Sequence, residues 1–283
     1  LKLGMMQESR ELWEKVIASL SQKCELHPEN MEVSDYLVRA QLLKVEWLCQ
    51  NGELTQAHEL SHSLMTQIRA SQKDLSDDQP RLAMLCECLE HFVFCCHHLN
   101  KGDEELSALK ELERIRKAQL QVSPDSVPLQ SRYFDLLSSM GRNAFNNGMM
   151  DQGIAYMNKA LKGYNDLHEK HHEQHQYLQA IGDILVSLGQ AYQKLNNESA
   201  SQLTLDTALQ IANWLSKAGH DSYVMQLAAT KIFFAVSQSN AYELQKMDLL
   251  TMAENQLRLV QVHLQNPVVN SLMQRITAQQ RAA

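Results

Sequence analysis

The chain contains few residues that interrupt a helix. Its 283 residues include 10 Gly and 5 Pro. Gly adds backbone entropy and Pro removes an N–H donor, so their scarcity leaves room for long helices. Aromatics make up only 6% of the chain. Sustained apolar/polar alternation is missing, as is an Asn-Gly or Asp-Gly hairpin turn flanked by it, and this excludes a sheet. No apolar run approaches the roughly 18–20 residues that span a bilayer, and 231–236 is too short. The net charge is −7, with 26 Lys+Arg against 33 Asp+Glu. Nucleic-acid binding needs clustered Lys and Arg, so that class is excluded as the main function. Also missing are a Gly-rich phosphate loop, Gly-x-Ser-x-Gly, His-Glu-x-x-His and a recognisable acid pair. Neither an enzyme nor a cofactor is expected.

Leu, Ala, Gln, Met and Glu abound instead, and all lose little rotamer freedom in a helix. The chain opens on Leu1 without a signal peptide and runs straight into a charged helix. The expectation is a piece of a longer protein. The six cysteines (Cys24, Cys49, Cys86, Cys88, Cys95, Cys96) all fall in predicted helices and read as small buried hydrophobes. That favours a reducing, cytoplasmic compartment; a targeting or membrane segment before residue 1 would make it periplasmic.

Periodicity organises the rest. Ile181, Leu185, Leu188, Tyr192 and Leu195 step by 4, 3, 4 and 3 along one helical face. The spacing predicts helices over 7–25, 31–50, 53–73, 79–99, 103–121, 128–147, 150–166, 172–195, 199–218, 221–239, 246–265 and 268–281. They form a leading helix 7–25, helix pairs 31–73, 79–121, 128–166, 172–218 and 221–265, and a closing helix 268–281, in one domain. Short links carry the turn residues Asn51-Gly52, Ser76-Asp77-Asp78, Asn100-Lys101-Gly102, Asn147-Gly148, Asn196-Asn197 and Gly219. Such links make neighbours antiparallel. Ser199 is the expected cap of helix 199–218.

An internal repeat underlies the pairs. Leu188-Gly189 is followed by Tyr192, Leu205 and Ala208, and Met140-Gly141 by Gly153, Met157 and Ala160. Each Gly precedes its Ala by 19 residues, and the two units are 48 apart. Ala57, Ala108, Gly153 and Ser201 read as one second-helix position. His27-Pro28 and Ser123-Pro124 recur at twice 48. A glycine on the first helix admits the second helix closely, and a small residue there fills the contact. This pattern resembles the tetratricopeptide repeat (TPR), diverged and long-helixed, without its consensus Trp. It is similar to repeat regions of bacterial regulatory proteins.

The resemblance implies an all-α, right-handed superhelical solenoid of about five antiparallel helix pairs plus terminal helices. It also implies a non-catalytic scaffold, or regulatory region, that binds a protein or peptide. The alternative is a ligand-sensing domain holding a small molecule or short peptide in the same concave groove. Groove positions carried over from the family are Asp135, Arg142, Phe145 and Asn146 in one repeat, Asp183, Val186, Gln190 and Lys194 in the next, and Arg39, Glu46 and Gln50 in the first. Of the family's carboxylate clamp for chaperone tails only Asn146 is retained, so a chaperone-tail receptor is not expected.

Two clusters have metal-ligand chemistry. If helical, His168, His172 and His175 share a face, as zinc or copper ligands can. The segment is charged on all sides, so a solvated helix start or loop is expected and no metal is assigned. Cys88, His91 and Cys95 also share a helical face. Zinc ligands usually come from short turns, so core packing is expected there, and the Met-rich stripe reads as core filler.

Overall fold

A computed structural model describes residues 2–70, 79–218, 222–263 and 267–282. Among the described residues there are twelve α-helices, one 3₁₀ segment and no strand. In order they are α1 Lys2–Leu26, α2 Met31–Gln50, α3 Leu54–Ala70, α4 Gln79–His98, α5 Gly102–Val122, α6 Val127–Asn146 and α7 Met150–Lys170. Then come α8 Gln176–Lys194, α9 Glu198–Ala218, α10 Tyr223–Ser237, the 3₁₀ segment η1 Asn240–Gln245, α11 Lys246–His263 and α12 Pro267–Ala282. The turns expected at Ser76-Asp77-Asp78 and at Gly219 lie outside the described residues.

The chain divides into two compact units, Leu1–Ile115 and Arg116–Ala283. In the first, α1 packs on α2, α2 on α3 and α3 on α4, while α2 also meets α4. Its centre holds Val45, Leu48, Leu64, Leu89 and Leu109 with Cys86, Cys88, Cys95 and Cys96, all buried. In the second, α6 pairs with α7, α8 with α9 and α10 with α11, and α8 meets both α6 and α10. One apolar core runs through this unit, from Met157, Tyr164 and Tyr177 to Leu205, Phe233 and Leu257. Contact between first helices of successive pairs is what a helix-pair repeat produces.

The repeat is visible in the backbone. Gly52, Asn100, Gly148 and Asn196 follow one another at 48-residue steps, and all have positive φ, from 55° to 78°. Each closes the first helix of its pair, where Gly or Asn adopts the left-handed conformation at least cost. The next amide donates back to a carbonyl five residues earlier at 2.9 Å in all four: Glu53 to Leu48, Lys101 to Cys96, Met149 to Ala144 and Asn197 to Tyr192. Turns between pairs keep the same register. Asn30 donates to the His27 carbonyl, Ser126 to that of Ser123 and Gln174 to that of His171. His171–Gln174 is therefore the proline turn repeated without its proline, and it ends α7 before α8 begins. The fifth pair departs from the pattern. Position 244 falls in η1, where Tyr242 leaves helical geometry.

Packing within the pairs refines the sequence reading. A Cβ on Gly189 would lie 2.5 Å from Leu205, and one on Gly141 would lie 2.8 Å from Met157. The groups nearest these glycines are Leu205 and Met157, one turn before Ala208 and Ala160. Those two alanines are fully buried. The 48-residue step also moves the second pair's small-residue position from Ala108 to Glu105. Glu105 is only 4% exposed, and its carboxylate lies 3.3 Å from Nδ1 of His97. The position tolerates a carboxyl because the facing helix supplies a histidine. The cap expected at Ser199 is instead Asn197, whose side chain accepts from the Ala200 amide at 3.2 Å, and α9 starts at Glu198.

Candidate binding cavity

Three helices of the second unit enclose a cavity of about 500 Å³, within the usual range for ligand pockets of roughly 300–1,000 Å³. From α6 come Ser131, Asp135, Ser138, Ser139 and Arg142; from α7, Tyr164; from α8, Gln176, Tyr177, Gln179, Ala180, Asp183 and Ile184. The polar α6 residues fall at spacings of three and four, the period that puts side chains on one helical face. The lining holds two carboxylates, one guanidinium, three serine hydroxyls, two phenols and two carboxamides. It is a surface for hydrogen bonding and charge recognition.

Each polar group has a defined setting. The Arg142 guanidinium donates to the hydroxyls of Ser138 and Ser139, at 3.1 and 3.0 Å. Those bonds hold it along its own helix. The Tyr164 hydroxyl reaches across from α7 to Asp135 at 2.5 Å and to the Ser131 carbonyl at 3.0 Å. Burial raises the Tyr164 pKa first, with Asp135 adding to it, so the phenol stays protonated as a donor. Burial also pushes the Asp183 carboxyl above the usual carboxylate range, against the opposing pull of Lys231 and Arg142.

Of the residues singled out by sequence, the cavity brings together Asp135, Arg142 and Asp183. Phe145 is half-buried and covers Gly153. Val186 is buried in the core, whereas Asn146, Gln190 and Lys194 are exposed away from the lining. Arg39, Glu46 and Gln50 belong to the first unit, where Gln50 donates to Glu46 at 3.0 Å and Arg39 is exposed. Tyr164, Gln176 and Tyr177 escaped the sequence reading. They sit on a second helix and just beyond a turn, outside the first-helix stripe that the family pattern reads.

The first unit carries two further clusters. Cys49 Sγ lies 3.6 Å from Cys95 Sγ. The Cys95 thiol and then His91 pull the Cys49 thiol down to about 5. Cys88 is apart from this group, donating to the Ser61 carbonyl at 3.1 Å, and burial pushes its pKa up to about 12. Among the described residues, one set has ligand atoms close enough for a metal ion: His58, Cys96 and Glu104, within 4.8 Å of one another. The Lys101 ammonium already lies 3.3 Å from His58 Nε2 and 3.2 Å from Glu104. A cation from the chain itself therefore meets this carboxylate. His168, in the last turn of α7, and His175, just before α8, are half-buried, and His172 in the turn between them is exposed. The His175 ring meets Trp214 edge-on at 5.0 Å. The three histidines do not share one helix, because α7 ends at Lys170 and α8 begins at Gln176.

The fold is a TPR-like helical repeat. No protein-family model matches the sequence. No curated protein matches it either. Among solved structures, BtubC (BKLC) from P. vanneervenii overlays with a TM-score of 0.50 at 14% identity, over 90% of this chain and 94% of that one. A tetratricopeptide repeat protein from Parabacteroides merdae overlays more loosely, with a TM-score of 0.29 at 14% identity, over 85% and 98% of the two chains. The Cut9-Hcn1 hetero-tetramer of APC/C gives 0.29 at 15% identity, over 93% and 52%.

Proposed function

We propose that this chain is a non-catalytic scaffold that binds a protein or peptide through the α6–α7–α8 cavity, as the interaction or regulatory region of a larger bacterial protein. The observation that carries this reading is the polar lining, in which Asp135, Arg142 and Asp183 from two first helices converge on one space of about 500 Å³. Surface charges add little to folding, roughly 0–1 kcal/mol each, so a converging set is better suited to recognition than to stability. A small ligand held in the same space is the second reading, favoured by the cavity's size. No described helix is long and apolar enough to cross a membrane.

Ser139 lies on the lining and is half-buried, so Ser139→Trp places bulk in the cavity without adding charge. The expected result is that partners captured from the native cell by the wild type are lost by Ser139→Trp. Exposed Lys159 on α7 provides the control, and Lys159→Ala should retain them. Equal capture by Ser139→Trp, with unchanged circular dichroism, would remove the cavity as the binding surface.

A further inference from the structure

The cavity's two carboxylates differ in a way that points to the chemistry of the occupant. Asp135 receives the Tyr164 hydroxyl. Asp183 receives nothing: among the described residues no N–H or O–H donates to its carboxyl, and it forms no ion pair. Its backbone carbonyl accepts from the Ser187 hydroxyl at 2.9 Å. The side chain is half-buried on α8 and lines the cavity. Partial burial raises its pKa, with no hydrogen-bond donor there to favour the charged form.

The charges around it leave a place for a cation. Arg142 on α6 and Lys231 on α10 act on Asp183 through space. Arg142 is held against α6 by Ser138 and Ser139. Lys231 stands one 48-residue step beyond Asp183, on the next first helix, and is exposed. Asp135 stands one step before. Successive first helices thus present Asp, Asp and Lys at one register position. The lining itself holds two carboxylates against one guanidinium. An incoming anion would meet Arg142 already engaged and two like charges; an incoming cation would meet a carboxylate that lacks a donor.

We propose that Asp183 recognises a basic side chain, the ammonium of lysine or the guanidinium of arginine, on the polypeptide segment that enters the cavity. Both groups bring several N–H donors and a full positive charge. Asp135, oriented by Tyr164, stands beside it as the second acidic group of the wall. This assignment rests on the cavity being the binding site, and it specifies what that site selects.

The test uses the whole chain and blocked single-residue probes: the N-acetyl, N-methylamide derivatives of lysine, arginine, norleucine and glutamate, with putrescine as a free amine. Binding is followed by NMR at the Ile184 methyl, which lines the cavity and is 1% exposed. Lysine and arginine probes should bind about tenfold or more tighter than norleucine, the usual scale for a charge-assisted hydrogen bond. Asp183→Asn, which keeps the shape and removes the charge, should erase that difference. Putrescine binding more tightly than blocked lysine would replace the polypeptide with a small free amine and overturn the proposal. Saturation by glutamate alone would overturn the cation while leaving the cavity as a binding site. Silence of every probe would also overturn it, and capture by Ser139→Trp would then decide separately whether the cavity binds a partner at all.

Discussion

Gly153 offers a quantitative test of how the helix pairs fit. A Cβ at this position would fall well inside van der Waals contact of two ring carbons of Phe145, and 3.0 Å from the Gly141 carbonyl oxygen. The half-buried ring must be displaced to admit that Cβ, while the carbonyl contact asks for only a few tenths of an ångström. Overpacking of this kind costs about 1–3 kcal/mol. Replacing Gly by Ala inside a helix returns about 1 kcal/mol. Gly153→Ala should therefore be destabilising by roughly 1 kcal/mol, a fall in melting temperature of about 2–4 °C for a unit of this size. The matching position of the first pair is Ala57, fully buried, and there the residue matching Phe145 is the smaller Cys49. Shrinking the ring should accordingly rescue the variant. Phe145→Leu combined with Gly153→Ala should be less destabilised than the two single effects together by about 1 kcal/mol. Thermal melts of the four proteins give the coupling. A Gly153→Ala protein that melts higher than wild type, or effects that simply add, would refute this account of the α6–α7 contact.

Two further outcomes follow from titrating groups. With its thiol held at about 5 by Cys95 and His91, half-buried Cys49 should react with iodoacetamide at pH 6–7 while buried Cys88 and Cys96 stay silent. Cys95→Ala should move the Cys49 midpoint back towards the ordinary thiol value of about 8.5, read by mass spectrometry across pH; a wild-type midpoint already there would contradict the hydrogen bond. Burial lowers the His168 pKa, with His172 and His175 adding to the effect. The unfolded chain then binds the proton more readily, so stability is full above the unfolded value of about 6.5 and falls as pH drops towards the lower folded value. His168→Gln should flatten the decline in melting temperature below pH 6.5, and an unchanged slope would exclude His168 as its source.

The repeat was legible where the backbone imposes a residue type. Positive φ demands Gly or Asn, so Gly52, Asn100, Gly148 and Asn196 carry the period openly, and the apolar stripe of α8 carries its helix. Reading failed where a partner on another helix changes what a position tolerates. Glu105 was passed over for Ala108 because a small residue was sought, and the histidine that accommodates it belongs to α4. The His168–His175 stretch looked like one face only while it was assumed helical. In the cavity, Asp135, Arg142 and Asp183 stand at groove positions that the family resemblance implies. Tyr164 does not, because its hydroxyl arrives from α7, and no local pattern on α6 announces that Asp135 will receive it.

The identical left-handed closures have a consequence for how the chain can be lengthened. Between Gly148 and Asn196 the backbone leaves and re-enters the same turn geometry, with the following amide bonded five residues back in each case. A cassette cut at those two points could be duplicated or deleted and the ends would rejoin without a new junction having to be invented. The 3₁₀ segment at Asn240–Gln245 lacks that interchangeable joint, and Tyr242 there is bonded to Asp206 and to Gln202 of α9. Growth or loss by whole pairs is therefore confined to the stretch before it, which makes the number of pairs, more than any single side chain, the quantity this architecture is free to vary.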